Sequence, residues 1–294
     1  MHRRESPPSN EGRRWCRVTA VVVAAWASFG LANARGPSAP AAAPCPDRAI
    51  TVAFYEFGAL YQTVAGEPVD GFIGRGIDVD LLRELRRRSG CRFDGTLMTR
   101  ARIWSELEAG RLDMTTSGIA TPEREKRYAF APYVQLKHHV WMLKSHPAAQ
   151  GGLAGFMADP KLRWGAVRGY RHTPAYDAAL EQARSQGRVV NATDDAQLLR
   201  LLAEGTVDAV VGHAVVLRGY AAEHPRQPQL QALDWAPQAS VASEGLVLSR
   251  ARFSETEIAW WRALVQELVR DGTLARILRR HVPEDEVSGM LPRD

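Results

Sequence analysis

Apolar residues are spaced along this chain in two alternating rhythms, short runs that suit strands and longer stretches that repeat at helical spacing. The run ITVAFY over 50–55 reads as a strand. A Gly-rich turn (Gly71, Gly74, Gly76) leads to IDVDLLRELRRRSG, where Ile77, Leu81, Leu82 and Leu85 share one helical face and Gly90 ends the helix. A second strand over 92–96 completes a parallel βαβ unit. MTRARIWSELEAGRLD then predicts a loop holding Arg100 and Arg102 and a helix, on which Trp104 either packs or walls a pocket. A strand at 138–144 opens a second series: RWGAV, a turn over 169–172, a helix from Thr173, a strand at 189–190, a helix from Thr193 capped by Asp194 and Asp195, and the strand DAVVG. Short strands alternating with helices predict a second α/β lobe. The chain returns through a strand at 245–248 and a helix with Ile258, Trp261, Leu264, Val265, Leu268 and Val269 on one face, and a final helix starts at Thr273. No fixed-period repeat is visible.

Between the two series lies GRLDMTTSGIATPEREKRYAFAPY, a short strand over 114–117, a turn at Ser117-Gly118 and a helix start. Thr121 suits the N-cap, Pro122 the first helical position, and Glu123 the positive helix end. Such a start leaves backbone N–H groups free. With the hydroxyls of Thr115, Thr116, Ser117 and Thr121 and the Arg124 guanidinium beside them, it predicts a socket for a carboxylate or similar anion. The Thr-Pro-Glu-Arg tetrapeptide by itself reads first as an ordinary capped surface helix.

Composition changes the picture mainly at the N-terminus. The 294 residues, 45% hydrophobic and 24% charged, suffice for two compact lobes. Arg3, Arg4, Arg13, Arg14 and Arg17 precede an apolar run over 18–32 and the small-x-small pattern Ala32-Asn33-Ala34. This predicts a secretory signal peptide over 1–34, cleaved near Ala34, followed by an Ala- and Pro-rich disordered tether over 35–46. The apolar run is short for a membrane span, so a soluble periplasmic product is expected. Arg13-Arg14 leaves Sec and twin-arginine export both open. The leader holds five arginines and two glutamates, so its loss lowers the formal net charge from +5 to +2 and removes the argument for nucleic acid. Arg86-Arg87-Arg88 reads as a solvated helix face.

Cys16 falls in the leader, leaving Cys45 and Cys91, each just before a predicted strand. Neighbouring parallel strands about 4.8 Å apart would bring the two together, and a disulfide is expected in an oxidising compartment. Lipid attachment at Cys45 is the alternative, with Ala42-Ala43-Pro44 a poor lipobox. No metal site or cofactor is expected: CxxC and HExxH are absent, and His138-His139 on a strand would point to opposite faces.

The ordered set GIDVDLLREL, AGRLD, SGIATPER with AFAPY, GAVRGY, GTVDAVVG, EGLVLS and DGTLARILRRH resembles the family 3 extracellular solute-binding proteins, over nearly the whole chain after the leader. The resemblance implies the two-lobe type II periplasmic binding fold. Its first lobe would be discontinuous, over 45–137 plus 243–294, its second would span 138–242, and hinge strands would cross near 136–142 and 239–246. In that family the arginine of T-x-x-R pairs with the ligand's α-carboxylate, which carries over to Arg124. Ser117, Gly118 and Thr121 match the groups before it, Tyr55, Glu56 and Phe57 the loop after the first strand, and Arg171, His172 and Thr173 the second-lobe turn. The chain departs from the family in two places. The stretch before the arginine is one residue shorter, and His213 stands where amino acid binders place the acidic residue that takes the ligand's ammonium. Glu56 could take over that role, or the ligand could lack an ammonium.

Arg100, Arg124, Arg171, His172 and His213 against Glu56 make a positive cleft that predicts an anionic guest. The function implied is capture of a small anionic metabolite (amino acid, dicarboxylate or aromatic acid) by a monomer that serves an inner-membrane ABC permease. The alternative is a cyclohexadienyl dehydratase-like lyase on the same fold, with Glu56 as proton donor. A sensor input module would need a partner to supply a further domain.

Overall fold

The computed structural model describes residues 43–64, 72–216 and 229–293. The leader with Cys16 and Ala34, most of the tether, and Gly71 lie outside the described residues. The first lobe begins with strand β1 (Ile50–Phe54), helix α1 (Ile77–Ser89) and strand β2 (Phe93–Leu97), with β1 and β2 parallel. Gly90 ends α1 in the left-handed conformation, φ 72°, with its N–H on the Arg86 carbonyl. Cys45 and Cys91, on the segments leading into β1 and β2, are joined in a disulfide with Cα atoms 5.1 Å apart. Helix α2 (Arg100–Glu108) and strand β3 (Met114–Ile119) follow, and β3 pairs parallel to β1. A one-turn helix α3 (Pro122–Glu125) starts from Thr121, whose hydroxyl accepts the Arg124 N–H as expected of an N-cap.

The chain then runs through one 16-residue strand, β4 (Tyr128–Leu143). The sequence shows only its second half, because Pro132 interrupts the first; the pairing register shifts between Pro132 and Val134, which spares the missing N–H. The second lobe contains α4 (Gly152–Ala158), β5 (Trp164–Val167), α5 (Pro174–Ser185), β6 (Val189–Ala192), α6 (Asp195–Ala203), β7 (Ala209–His213) and β8 (Leu230–Leu233). Strand β9 (Val241–Ser249) returns to the first lobe, followed by α7 (Glu255–Arg270), α8 (Thr273–Arg279) and α9 (Glu284–Met290). Ser254 opens α7 with a full capping box to Glu257.

The strands run in the order β2-β1-β3-β9-β4-β7-β5-β6, with β8 also against β4. The first half of β4 pairs with β9 and its second half with β7 and β8, so β4 and β9 tie the two halves of the sheet together. Each half has its own core. One gathers Phe54, Leu82, Met114, Leu248 and Trp261; the other gathers Val140, Phe156, Trp164 and Tyr176, with Leu198 and Leu202 alongside. Among the described residues no helix is long and apolar enough to cross a membrane.

Candidate functional site

The strand end at 114–119 is built around Ser117, which takes φ 51° at an irregularity in the β3–β9 pairing. A left-handed non-glycine residue costs about 1–3 kcal/mol. Ser117 offsets this with bonds from nearly every polar group it has: its N–H donates to the Tyr133 hydroxyl (2.9 Å), its hydroxyl donates to Asp78 (2.9 Å), and its carbonyl accepts from Arg100 (3.0 Å) and Tyr55 (3.1 Å). Asp78 is buried, and burial pushes its carboxyl up to about 6 against hydrogen bonds that include those from Tyr133 and Ser117. Gly118 is required by close approach, since a Cβ there would lie 2.2 Å from Val247 Cγ2.

This corrects the expected hydroxyl socket. Ser117 spends its hydroxyl on Asp78, Thr115 on the Ala53 carbonyl and Thr121 on capping α3. The positive groups Arg100, Arg124 and Arg171 gather at the cavity instead. Arg100, expected in a loop, is the first residue of α2 and is 3% exposed; it donates to the carbonyls of Thr116 and Ser117 and lies over the rings of Tyr55 (4.4 Å) and Trp104 (4.7 Å). Arg102 likewise sits in the first turn of α2, but its exposed side chain faces Glu106. Arg124 lies over Trp104 at 3.8 Å and donates to the carbonyls of Ile119 and Gly169, both at 2.9 Å. Burial, then the nearby guanidiniums of Arg100 and Arg171, push Arg124 down to about 9. Among the described residues, the acceptors of Arg100 and Arg124 are neutral oxygens.

The Gly169 bond spans the lobes. Gly169 belongs to the turn between β5 and α5, has φ 85°, and packs so closely on the start of α2 that a Cβ would meet Ala101 N at 3.1 Å. Its carbonyl also accepts from Trp104 Nε1 at 3.0 Å, so Trp104, packed against the first-lobe core, bridges to the second lobe without lining the cavity. Tyr170, next in the turn, meets Tyr55 and Phe57 edge-on and donates its hydroxyl to Asp195 at 3.0 Å.

The cavity so formed is lined from both lobes, by Tyr55, Arg100 and Arg124 on one side and by Tyr170, His172 and His213 on the other. The space left free is about 20 Å³, room for one water. A larger guest therefore requires the lobes to part.

The other candidates divide. Phe57 and Ser117 line the same cavity; Gly118 and Thr121 shape it from behind without lining it. Arg171 reaches it with a half-exposed side chain, 4.0 Å from Asp177. His172 is buried, with Nδ1 3.2 Å from Asp177. His213 is buried with Nε2 3.2 Å from Glu244 and Nδ1 3.3 Å from the Lys137 carbonyl. Glu56 is a correction: exposed, it accepts the backbone N–H and hydroxyl of Thr63 and faces a neighbouring cavity beside Arg102. Glu56 is absent from the lining of the cavity that Arg124 faces.

The carboxylates that do line the cavity, Asp195 and Glu244, were not singled out from the sequence. Asp195 reads there as a second cap, yet Asp194 alone caps α6, accepting the Gln197 N–H. The half-buried Asp195 has its carboxyl enclosed in the cavity wall, and burial pushes it up to about 7 despite the hydrogen bond from Tyr170. Glu244 falls one residue before the strand expected at 245–248, though inside the expected hinge strand, and it opens the continuously buried part of β9, itself 1% exposed.

The family model described as bacterial extracellular solute-binding proteins, family 3, matches residues 73–284. Solved structures share the architecture at low identity. The arginine-, lysine-, histidine-binding protein ArtJ from Geobacillus stearothermophilus matches with a TM-score of 0.63 and 19% identity, covering 84% of this chain and 97% of that one. The amino acid ABC transporter substrate-binding protein AbpA from Streptococcus pneumoniae, bound to L-arginine, gives 0.64 and 19%, covering 83% and 96%. An ancestral amino acid-binding protein described as a precursor of cyclohexadienyl dehydratase gives 0.63 and 18%, covering 80% and 96%. No curated protein sequence matches. The common architecture is the type II periplasmic binding fold, two α/β lobes joined by two hinge strands with the first lobe discontinuous.

Proposed function

Because this chain belongs to the bacterial extracellular solute-binding proteins, family 3, we propose that it captures a small organic acid between its lobes in the periplasm and delivers it to an ABC-type permease. The observation that carries this reading is the pair Arg100 and Arg124, two guanidiniums beside Trp104 at one cavity with only neutral acceptors among the described residues. Cations brought this far from water attract a carboxylate strongly, and guanidinium forks suit its two oxygens. Across the cavity stand Tyr170 and Asp195. A ligand ammonium beside Asp195 would favour its ionised form, and this supports an amino acid ahead of a dicarboxylate, as does the L-arginine bound by the pneumococcal relative. His213 in the usual acidic place does not remove the negative end of the cleft; Asp195 takes that role.

A thermal-shift screen of amino acids, dicarboxylates and aromatic acids tests the reading, since a ligand that binds only the folded form raises the melting temperature. At least one carboxylate-bearing class is expected to do so, more strongly than its amide or ester. A screen in which no acid shifts the transition, or in which esters match acids, sinks the reading.

One observation favours a second reading, a dehydratase of cyclohexadienyl acids. A carboxyl pushed up to about 7 across the cavity from two guanidiniums is poised to donate a proton while they hold carboxylates. Incubation with prephenate or arogenate, followed by ultraviolet absorbance of the aromatic product, separates the two. Turnover that disappears in Asp195→Asn supports the lyase, and binding without turnover supports the carrier.

A further inference from the structure

Beside the two guanidiniums, three strands converge on a group of donors that no local spacing in the sequence connects. His138 lies on β4 directly opposite His213 on β7, with ring centroids 4.1 Å apart, and Glu244 comes from β9. The three are 0%, 5% and 1% exposed, and each offers one donor atom within 4.8 Å of the other two. His138 and His139 do point to opposite faces of β4, but the partners of His138 come from other strands.

The polar atoms of this group are unusually poor in partners. Neither ring nitrogen of His138 makes a well-formed hydrogen bond, although the Ser240 backbone lies beside the ring, and Glu244 Oε2 is equally unpartnered. Buried polar atoms in folded proteins are almost always satisfied, by protein, water or an ion. His213 sharpens the point. Its Nδ1 faces the Lys137 carbonyl at 3.3 Å, an acceptor that suits an N–H on that nitrogen. Its Nε2 faces a carboxylate oxygen of Glu244 at 3.2 Å, and with the N–H on Nδ1 these are two acceptors that a positive centre between them would join. A proton would join that pair alone. A divalent cation would engage His213, Glu244 and His138 together.

We propose that His138, His213 and Glu244 form a binding site for a divalent transition metal of the zinc type, with its fourth position open to the cleft cavity. Two imidazoles and one carboxylate are a recurrent zinc donor set with an open position, and imidazole selects against calcium and magnesium. The second shell fits as well: ligating histidines usually give their other nitrogen to a carbonyl, as Lys137 provides for His213 and Ser240 stands ready to do for His138. His213 and Glu244 line the cavity, so the open position faces it. Donor atoms about 2.1 Å from one tetrahedral ion stand about 3.4 Å from one another, so donors now within 4.8 Å draw together by up to about 1.4 Å when the ion binds.

The test uses the untagged full chain, stripped with a chelator and titrated with Zn²⁺ by calorimetry with no organic acid present, so the result is independent of what the Arg124 cavity holds. One Zn²⁺ per chain is expected, with affinity reduced at least about 100-fold in His138→Ala and in Glu244→Gln, as loss of a ligand should exceed the loss of a second-shell partner. Circular dichroism identifies variants that remain folded. Should neither fold, Co²⁺ added to the wild-type protein decides: an intense visible band of tetrahedral, nitrogen-ligated cobalt supports the site, and the weak spectrum of the hydrated ion overturns it. Absence of stoichiometric uptake by the stripped wild type, or wild-type affinity in a folded variant, also overturns the proposal.

Discussion

Arg124 has a guanidinium whose two hydrogen bonds, to the carbonyls of Ile119 and Gly169, are of the sort a carboxylate readily replaces. Replacing it by Ala should cost about 3 kcal/mol of acid binding, roughly 100-fold in Kd, since truncating one side of a buried charge pair typically costs 2–5 kcal/mol. Lys should recover only part of this because it lacks the planar fork. Calorimetry on Arg124→Ala and Arg124→Lys checks the order, and unchanged affinity in the Ala variant would remove Arg124 from the site. Asp195 carries a prediction about pH. Its folded carboxyl is pushed from 3.8 up to about 7, so the folded form holds the proton more tightly than the unfolded chain. Its contribution to stability is complete below 3.8 and is lost as pH rises through about 7. Asp195→Asn should lack that part of the decline, leaving a flatter dependence of unfolding free energy on pH across this window, measured by denaturant titration. A slope identical to wild type would show that the carboxyl ionises as freely in the folded protein as in the unfolded chain.

The elements were largely legible because their signals are local. Apolar spacing and a stop at Gly90 mark α1, Thr121 and Pro122 mark α3, and the cysteines before β1 and β2 mark a parallel pair. That disulfide joins residues 46 apart, and breaking it with Cys45→Ser should cost about 4 kcal/mol by the loop-entropy relation, read as a lower denaturation midpoint that matches the reduced wild type. What stayed hidden depends on partners distant in sequence. Pro132 conceals the first half of β4 because the register shift that accommodates it belongs to β9. Glu244 becomes a cavity residue only when β9 lies between β3 and β4, and Glu56 leaves the cavity through a turn to Thr63 that no spacing announces. Gly118 reads as a turn residue, yet its need is for Val247 of the facing strand. Gly118→Ala should therefore destabilise by about 1–3 kcal/mol, as overpacking does, and Val247→Ala on that background should restore part of the loss. Additive losses in thermal unfolding would show that the two positions do not meet.

At the scale of the whole molecule, the proposed function sets the ligand where contacts already hold the empty protein closed. Trp104 and Arg124 of the first lobe both donate to the Gly169 carbonyl of the second, and the cavity beside them has room for only one water. A ligand must break or rearrange these bonds as it enters and offer better ones once the lobes close over it. Its net affinity is thus its contact energy less the stability of the empty closed form, and a ligand shifts the lobe equilibrium only by its preference for the closed state. Weakening the empty closed form alone should therefore open the free protein without preventing closure around a ligand. Trp104→Phe keeps an aromatic face for the two guanidiniums and removes the indole N–H, a loss of about 1 kcal/mol for a neutral hydrogen bond and so roughly a fivefold shift toward the open form. Small-angle scattering should show a larger radius of gyration for Trp104→Phe than for wild type without ligand, and equal radii once an acid that binds is saturating. Equal radii in both conditions would mean that the Gly169 contacts do not govern the hinge, and unequal radii in both would mean that the indole N–H is needed for closure on the ligand as well.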